Sequence, residues 1–196
     1  AVANLREAPA LQGAHNWQNA ALAYAAVREL SRDTQELGRA LLAFPGLAHR
    51  MERVGKIGKA LFVNDSKATN ADAAEKALVC FDGIFWIAGG KAKEGGIEPL
   101  APHFPRIAKA YLIGDAAESF VRTLEGRVPY ERCGDMKTAT AMALADALRS
   151  AAIEPVILLS PACASFDQFR DFEDRGDQFK AFFARLKSEL GEGRAA

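Results

Sequence analysis

The stretch Asn64-Asp65-Ser66-Lys67-Ala68-Thr69-Asn70 decides how this chain is read. Just before it, Ala60-Leu61-Phe62-Val63 is an apolar run with aromatic and β-branched members, which predicts a short buried strand. Just after it, Ala71 to Cys80 carries apolar residues at Ala73, Ala74, Ala77 and Leu78 without Gly or Pro, which predicts an amphipathic helix. A strand-to-helix crossing of this composition sets a carboxylate, an ammonium and two hydroxyls on one exposed lip. In open α/β sheets, ligands collect at the carboxyl ends of strands. The plain alternative is a capping loop, with Asn70 as N-cap and Asp72 favoured by the helix dipole.

Outward from this stretch the pattern alternates. Met51 to Ile57 and Lys59 to Val63 predict two strands joined by a tight turn at Lys56-Ile57-Gly58-Lys59. Strands are predicted at Ile84–Ala88, Ala110–Ile113, Tyr130–Cys133 and Val156–Leu159. Between them lie a short helix near Pro99–Phe104, a helix over Ala116–Leu124, and one over Met136–Ser150 N-capped by Asp135. Helices over Phe166–Phe172 and Asp174–Leu190 close the pattern. Strands alternating with helices imply an α/β fold with a mostly parallel sheet covered on both faces. The polar runs Asn64–Thr69, Gly89–Lys93, Gly114-Asp115 and Ser160–Ser165 all follow strand ends, which points to one binding cleft.

The residues before this region read differently. Asn4 to Gly13 is irregular, Asn16–Leu30 is an Ala-rich helix, and Asp33–Phe44 is a second helix capped by Ser31 or Asp33 and stopped by Pro45-Gly46. Two such helices cannot build a core alone, so a domain boundary is placed near Gly46. With no Met at Ala1, the chain is expected to be a piece of something longer.

Composition excludes several classes. The chain of 196 residues is 49% hydrophobic, enough for a real core, and its 25 basic and 25 acidic side chains cancel. That balance predicts no nucleic-acid footprint. No apolar run approaches a membrane span and no signal-peptide pattern opens the sequence, so a cytoplasmic location is expected. Cys80, Cys133 and Cys163 are read as reduced core residues. No second ligand stands at metal spacing from His15 or His49 in the sequence, which predicts no zinc site. Gly89-Gly90-Lys91-Ala92-Lys93 is too short for a P-loop, and no G-x-S-x-G surrounds a serine. Ser165 with Gln168 fits a capping box. The phenylalanines from Phe166 to Phe183 are read mainly as core, with Phe172, Glu173 and Arg175 able to rim a pocket.

Several runs together resemble successive motifs of the Mur ligase family: Gly13-Ala14-His15-Asn16 with Asn19, Phe44-Pro45-Gly46-Leu47-Ala48-His49-Arg50-Met51-Glu52, and Asn64 to Asn70. Ser160-Pro161-Ala162-Cys163-Ala164-Ser165-Phe166-Asp167-Gln168-Phe169, with Phe172-Glu173 and Arg175-Gly176, is similar to members that add D-glutamate to UDP-N-acetylmuramoyl-L-alanine. The resemblance implies a Rossmann-like C-terminal domain over residues 47–196, preceded at 1–46 by the helical end of a central ATPase domain. It implies ATP and Mg2+ as cofactors and amide formation through an acyl phosphate. The P-loop, a carbamylated lysine and the main Mg2+ ligands would lie in missing N-terminal and central domains, so this stretch alone is not expected to turn over.

By the same resemblance, Asn19 and Arg50 approach ATP phosphates, Asp65 meets the ribose, and Lys67 lies near the phosphoryl and acyl groups. Thr69, Lys93, Ser165, Phe166 and Phe172 surround D-glutamate. Another amino-acid-adding ligase of the family, including the folylpolyglutamate branch, or a nonenzymatic nucleotide- or partner-binding module are the alternatives.

Overall fold

The computed structural model describes residues 2–30 and 33–192, and the chain divides into two compact units, Ala1–Leu47 and Ala48–Ala196. The first unit holds a 3-10 helix, Leu5–Glu7, and two α-helices, α1 (Ala14–Val27) and α2 (Thr34–Leu42). Asp33 caps α2 by accepting the Gln35 and Glu36 amides; Ser31, the other expected cap, lies outside the described residues, as does the tail from 193 to 196. Its core is small: Ala8, Leu11 and Ala20, with Leu5, Leu41 and Leu42 packed against them. Leu22 and Leu30 remain exposed.

The second unit is a six-stranded sheet with order β1-β2-β6-β3-β4-β5. The strands are β1 (Glu52–Ile57), β2 (Ala60–Asn64), β3 (Ile84–Gly89), β4 (Ile107–Ile113), β5 (Tyr130–Gly134) and β6 (Val156–Leu159). The β1–β2 hairpin is antiparallel, and β2, β6, β3, β4 and β5 all run parallel. Helices α3 (Ala71–Leu78), α4 (Ala117–Leu124), α5 (Met136–Arg149) and α6 (Phe172–Glu192), with a 3-10 helix over Glu98–Arg106, cover it.

Period-two alternation assigns the strand residues to two cores. Leu61, Val63, Ile84, Trp86, Ala110, Leu112, Val156 and Leu158 pack under α3, the second 3-10 helix and α4. Phe62, Phe85, Ile87, Tyr111, Ile113, Ile157 and Leu159 pack under α5 and α6. Strand β6 is buried along its whole length because it sits in the middle of the sheet, with β2 on one side and β3 on the other. The helix after β2 lies on one face and the helix after β6 on the other, so their loops part at a topological switch point.

Two sequence expectations are corrected. Met51 is not the first strand residue but takes a left-handed backbone, φ 46°. Residues 166–171 form turns and bends, and one helix of 21 residues, α6, begins at Phe172. The cause is local competition from polar side chains: Asp167 accepts the Asp115 amide, Gln168 donates to the Gly134 carbonyl, and Asp171 accepts the Asp174 amide as an N-cap does.

Candidate functional site at the carboxyl edge of the sheet

Four polar loops follow the adjacent strands β2, β6, β3 and β4, so parallel topology sets them side by side on one edge. The segment after β6 runs across that edge and fastens each neighbour in turn. Lys91 and Ala164 exchange backbone hydrogen bonds of 2.9 and 3.1 Å, which zip it to the loop after β3. Asp167 Oδ2 accepts the Asp115 amide at 3.1 Å after β4, and Gln168 Nε2 donates to the Gly134 carbonyl at 2.7 Å at the end of β5. This approach needs glycine at Gly90, φ 127°, where a Cβ would collide with the Ala164 carbonyl.

On the β2 side the fastener is Arg175, which is fully buried. Its Nε donates to Ser66 Oγ at 2.9 Å, Nη2 to the Ser66 carbonyl at 2.7 Å, and Nη1 to the Cys163 carbonyl at 3.1 Å. Ser66 Oγ in turn donates to the Phe172 carbonyl at 2.7 Å. Burial pulls the Arg175 guanidinium down to about 10, which leaves it charged at neutral pH. A pocket rim was expected for Arg175; it is the internal clamp joining two loops and α6. The signal was present in the sequence, since Phe172, Arg175, Phe179 and Phe183 share one helical stripe with core phenylalanines.

Asn64 closes the other side of the clamp. Its amide donates to Glu52 Oε2 at 3.0 Å and to the Gly176 carbonyl at 3.3 Å, and lies 3.1 Å from His49 Nδ1. Helix α6 comes so close that a Cβ at Gly176 would collide with the His49 ring. His49, Met51 and Ala162 all have positive φ, at 61°, 46° and 56°. These three non-glycine outliers stand beside the loops of this edge, where such strain is commonly held by function.

The expected site residues fall as follows. Lys67 is exposed, its Nζ 3.8 Å from the centroid of the half-buried Phe172 ring. Thr69 is half-buried two residues on, its amide bonded to the Lys67 carbonyl. Lys93 is exposed in the loop zipped to Ala164, the neighbour of Ser165. Ser165 is buried, and no helix begins there, so its expected capping role is withdrawn. Phe166 is 70% exposed and not core. Arg50 is exposed between the two left-handed residues and, among the described residues, joins no salt bridge; Glu52 pairs instead with Lys180 and His49. Asp65 is buried, accepting the Met51 amide at 3.1 Å and the Ser160 hydroxyl at 2.8 Å. Asn19 is exposed on α1 in the first unit. The cysteines are free; burial pushes the Cys163 thiol up to about 12, against a nucleophilic role.

A mostly parallel sheet with a topological switch point, covered by helices on both faces, defines a Rossmann-like α/β domain. The family model for "Mur ligase, glutamate ligase domain" matches residues 49–163, and the chain belongs to the Mur ligase family. It is 58% identical to the UDP-N-acetylmuramoylalanine–D-glutamate ligase of Caulobacter sp. (strain K31), over 92% of this chain and 38% of that protein. To the ligase of the same name in Rhodopseudomonas palustris (strain HaA2) it is 60% identical, over 94% of this chain and 40% of that protein. The chain thus spans about two fifths of the length of these curated relatives. Among solved structures, the UDP-N-acetylmuramate-alanine ligase of Thermotoga maritima aligns with a TM-score of 0.63 and 16% identity, covering 90% of this chain and 39% of that one. A murein peptide ligase from Psychrobacter arcticus aligns at 0.51 and 17%, covering 91% and 37%. These two establish the fold alone.

Proposed function

We propose that this chain is the C-terminal part of an ATP-dependent ligase that adds D-glutamate to UDP-N-acetylmuramoyl-L-alanine in cytoplasmic peptidoglycan precursor synthesis. Residues 1–46 would complete a central ATP-binding domain, and residues 47–196 would form the amino-acid domain. The observation that carries the reading is the sequence identity of 54–60% to ligases of that name across nearly the whole chain. Among the described residues no helix is long and apolar enough to cross a membrane.

The chemistry suits the residues on the edge. ATP supplies the phosphoryl group that activates a carboxylate as an acyl phosphate; the amine of D-glutamate then displaces phosphate. Such transfers depend mainly on positioning and on offsetting charge. Arg50, an exposed cation on a strained turn with no salt bridge among the described residues, fits a nucleotide phosphate, and Asp65 is proposed to meet the ribose. Asn19, on α1 of the first unit, is a separate candidate for a contact to ATP. Lys67, steadied over Phe172, would face the phosphoryl and acyl groups. Thr69, Lys93, Ser165, Phe166 and Phe172 would surround D-glutamate, Lys93 and Ser165 meeting its carboxylates. The main ligands for Mg2+ are proposed to lie in the missing part of the central domain.

The test joins this chain to the N-terminal and central domains of such a ligase and measures phosphate release with a panel of amino acids. Release that requires both UDP-N-acetylmuramoyl-L-alanine and D-glutamate is expected. Equal release with L-glutamate or with L-alanine would point to another ligase, and none with any amino acid to a binding module.

A further inference from the structure

Ser165 and Phe166, the residues after β6 proposed to face D-glutamate, are held by no regular element, since residues 166–171 form turns and bends. A tether on each side holds them instead. On the near side Ala164 is zipped to Lys91 by backbone hydrogen bonds of 2.9 and 3.1 Å. On the far side the tether is a side chain: Asp167 Oδ2 accepts the amide of Asp115, 52 residues away in sequence, at 3.1 Å. The fit there is close. A Cβ at Gly114, φ 67°, would collide with that carboxylate oxygen and with the Gly90 backbone, so the loop ends after β3, β4 and β6 meet at this point.

The other carboxylate oxygen is not that of a stabilising residue. Oδ1 is enclosed, and among the described residues nothing donates a hydrogen bond to it. An enclosed acceptor without a donor costs stability, so its presence calls for another explanation. Attraction of substrate is not that explanation, because a carboxylate two residues from Ser165 would repel an incoming carboxylate. Asp167 is instead turned to the loop after β4, close enough to the buried Arg175 for its charge to favour the guanidinium.

We infer that Asp167 is a positioning residue for the amino-acid substrate: its grip on the Asp115 amide fixes Ser165 and Phe166 between two tethers and so sets the preference for one enantiomer of glutamate. The substrate half of this inference rests on the D-glutamate reading; the latch itself does not. Enantiomers carry the same groups, so only contacts held rigidly in place tell them apart.

The experiment has two arms. In the ligase rebuilt by joining this chain to the missing domains, the parent, Asp167→Ala and Asp167→Asn are assayed with D-glutamate, L-glutamate and ATP. Asp167→Ala should raise the Michaelis constant for D-glutamate roughly tenfold, the effect of losing one hydrogen bond to a charged group, and leave that for ATP within about twofold. Its preference for D- over L-glutamate should fall. Asp167→Asn keeps an acceptor for the Asp115 amide and should recover most of both. Equal rises for D-glutamate and ATP, or a lower melting temperature with neither constant changed, would make Asp167 a structural residue only and overturn the inference. An Asn variant as impaired as the Ala variant, or one that binds D-glutamate more tightly than the parent, would also overturn it, since charge and not the tether would then be at work. Should Asp167→Ala fail to fold, Asp167→Ser, polar but too short to reach the Asp115 amide, carries the same comparison.

In the second arm, hydrogen exchange at the Asp115 amide is followed in this chain. Protection should be lost in Asp167→Ala and kept in Asp167→Asn; unchanged protection in Asp167→Ala contradicts the latch. A rebuilt parent whose phosphate release ignores D-glutamate would refute the ligase reading and the substrate half of the inference, and the Asp115 amide would still decide the latch.

Discussion

The Nζ of Lys67 lies 3.8 Å from the centroid of the Phe172 ring, which pairs the loop after β2 with the first residue of α6. The aromatic face offers negative charge to the ammonium and restrains a long side chain that would otherwise sample many rotamers. Ser66, the neighbour of Lys67, bonds the Phe172 carbonyl, so the pairing is fixed at the backbone as well.

Replacing Phe172 with Leu keeps an apolar side chain and removes the ring quadrupole. A partly desolvated cation–π contact contributes about 0.5–2 kcal/mol. Phe172→Leu should therefore slow turnover of the complete ligase about 2- to 30-fold with a melting temperature close to the parent's. Saturating-substrate kinetics check this, and a variant as fast as the parent would leave the pairing without consequence.

Arg175 is expected to be the most sensitive position of the edge for stability. Arg175→Met fills similar volume but leaves the Ser66 and Cys163 carbonyls without their donor. Hydrogen bonds to charged groups contribute about 1.5–3 kcal/mol each and do not add fully, so a loss of about 3 kcal/mol is expected. Urea denaturation of this chain measures it; a loss under about 1 kcal/mol would mean that the clamp is not what joins the loops.

Much of this arrangement is legible in the sequence, and the rest is hidden for definite reasons. The apolar runs Ala60–Val63, Ile84–Ala88 and Val156–Leu159 announce buried parallel strands because both faces of each are covered. Asn70, Asp33 and Asp135 announce helix starts because capping is local chemistry. Phe166, Phe169 and Phe172 recur every three residues and so imitate a helix. What straightens that segment is capture of Asp167 and Gln168 by loops 52 and 34 residues away, which no local pattern records. The strained turn at His49 and Met51 is equally silent, since its supports, Asp65 and Lys67, come from the loop after β2.

The carboxyl of Asp65 gives the chain a pH signature. Burial pushes it up from the usual 3.8 to about 7, against the opposing pull of the Ser160 hydroxyl, the Met51 amide and the Arg50 charge. Between these values the folded chain keeps a proton that the unfolded chain has released. The contribution of this group to stability is therefore present below about pH 4, declines as pH rises to about 7, and is level above that. Asp65→Asn removes the effect. Its melting temperature relative to the parent should rise from pH 4.5 to pH 8, and a constant difference across that range would show that the carboxyl titrates normally.

The most direct test of the central claim, a D-glutamate carboxylate site on this edge, is the Michaelis constant for D-glutamate in Ser165→Asp, measured beside that for ATP in the complete ligase. Because Ser165 caps no helix, the change acts by setting a negative charge where Lys93 and the Ser165 hydroxyl are proposed to meet a carboxylate. The constant for D-glutamate should rise steeply while that for ATP stays near the parent value, and Lys93→Ala should give the same split. A folded Ser165→Asp enzyme that uses D-glutamate as well as the parent does would contradict the account.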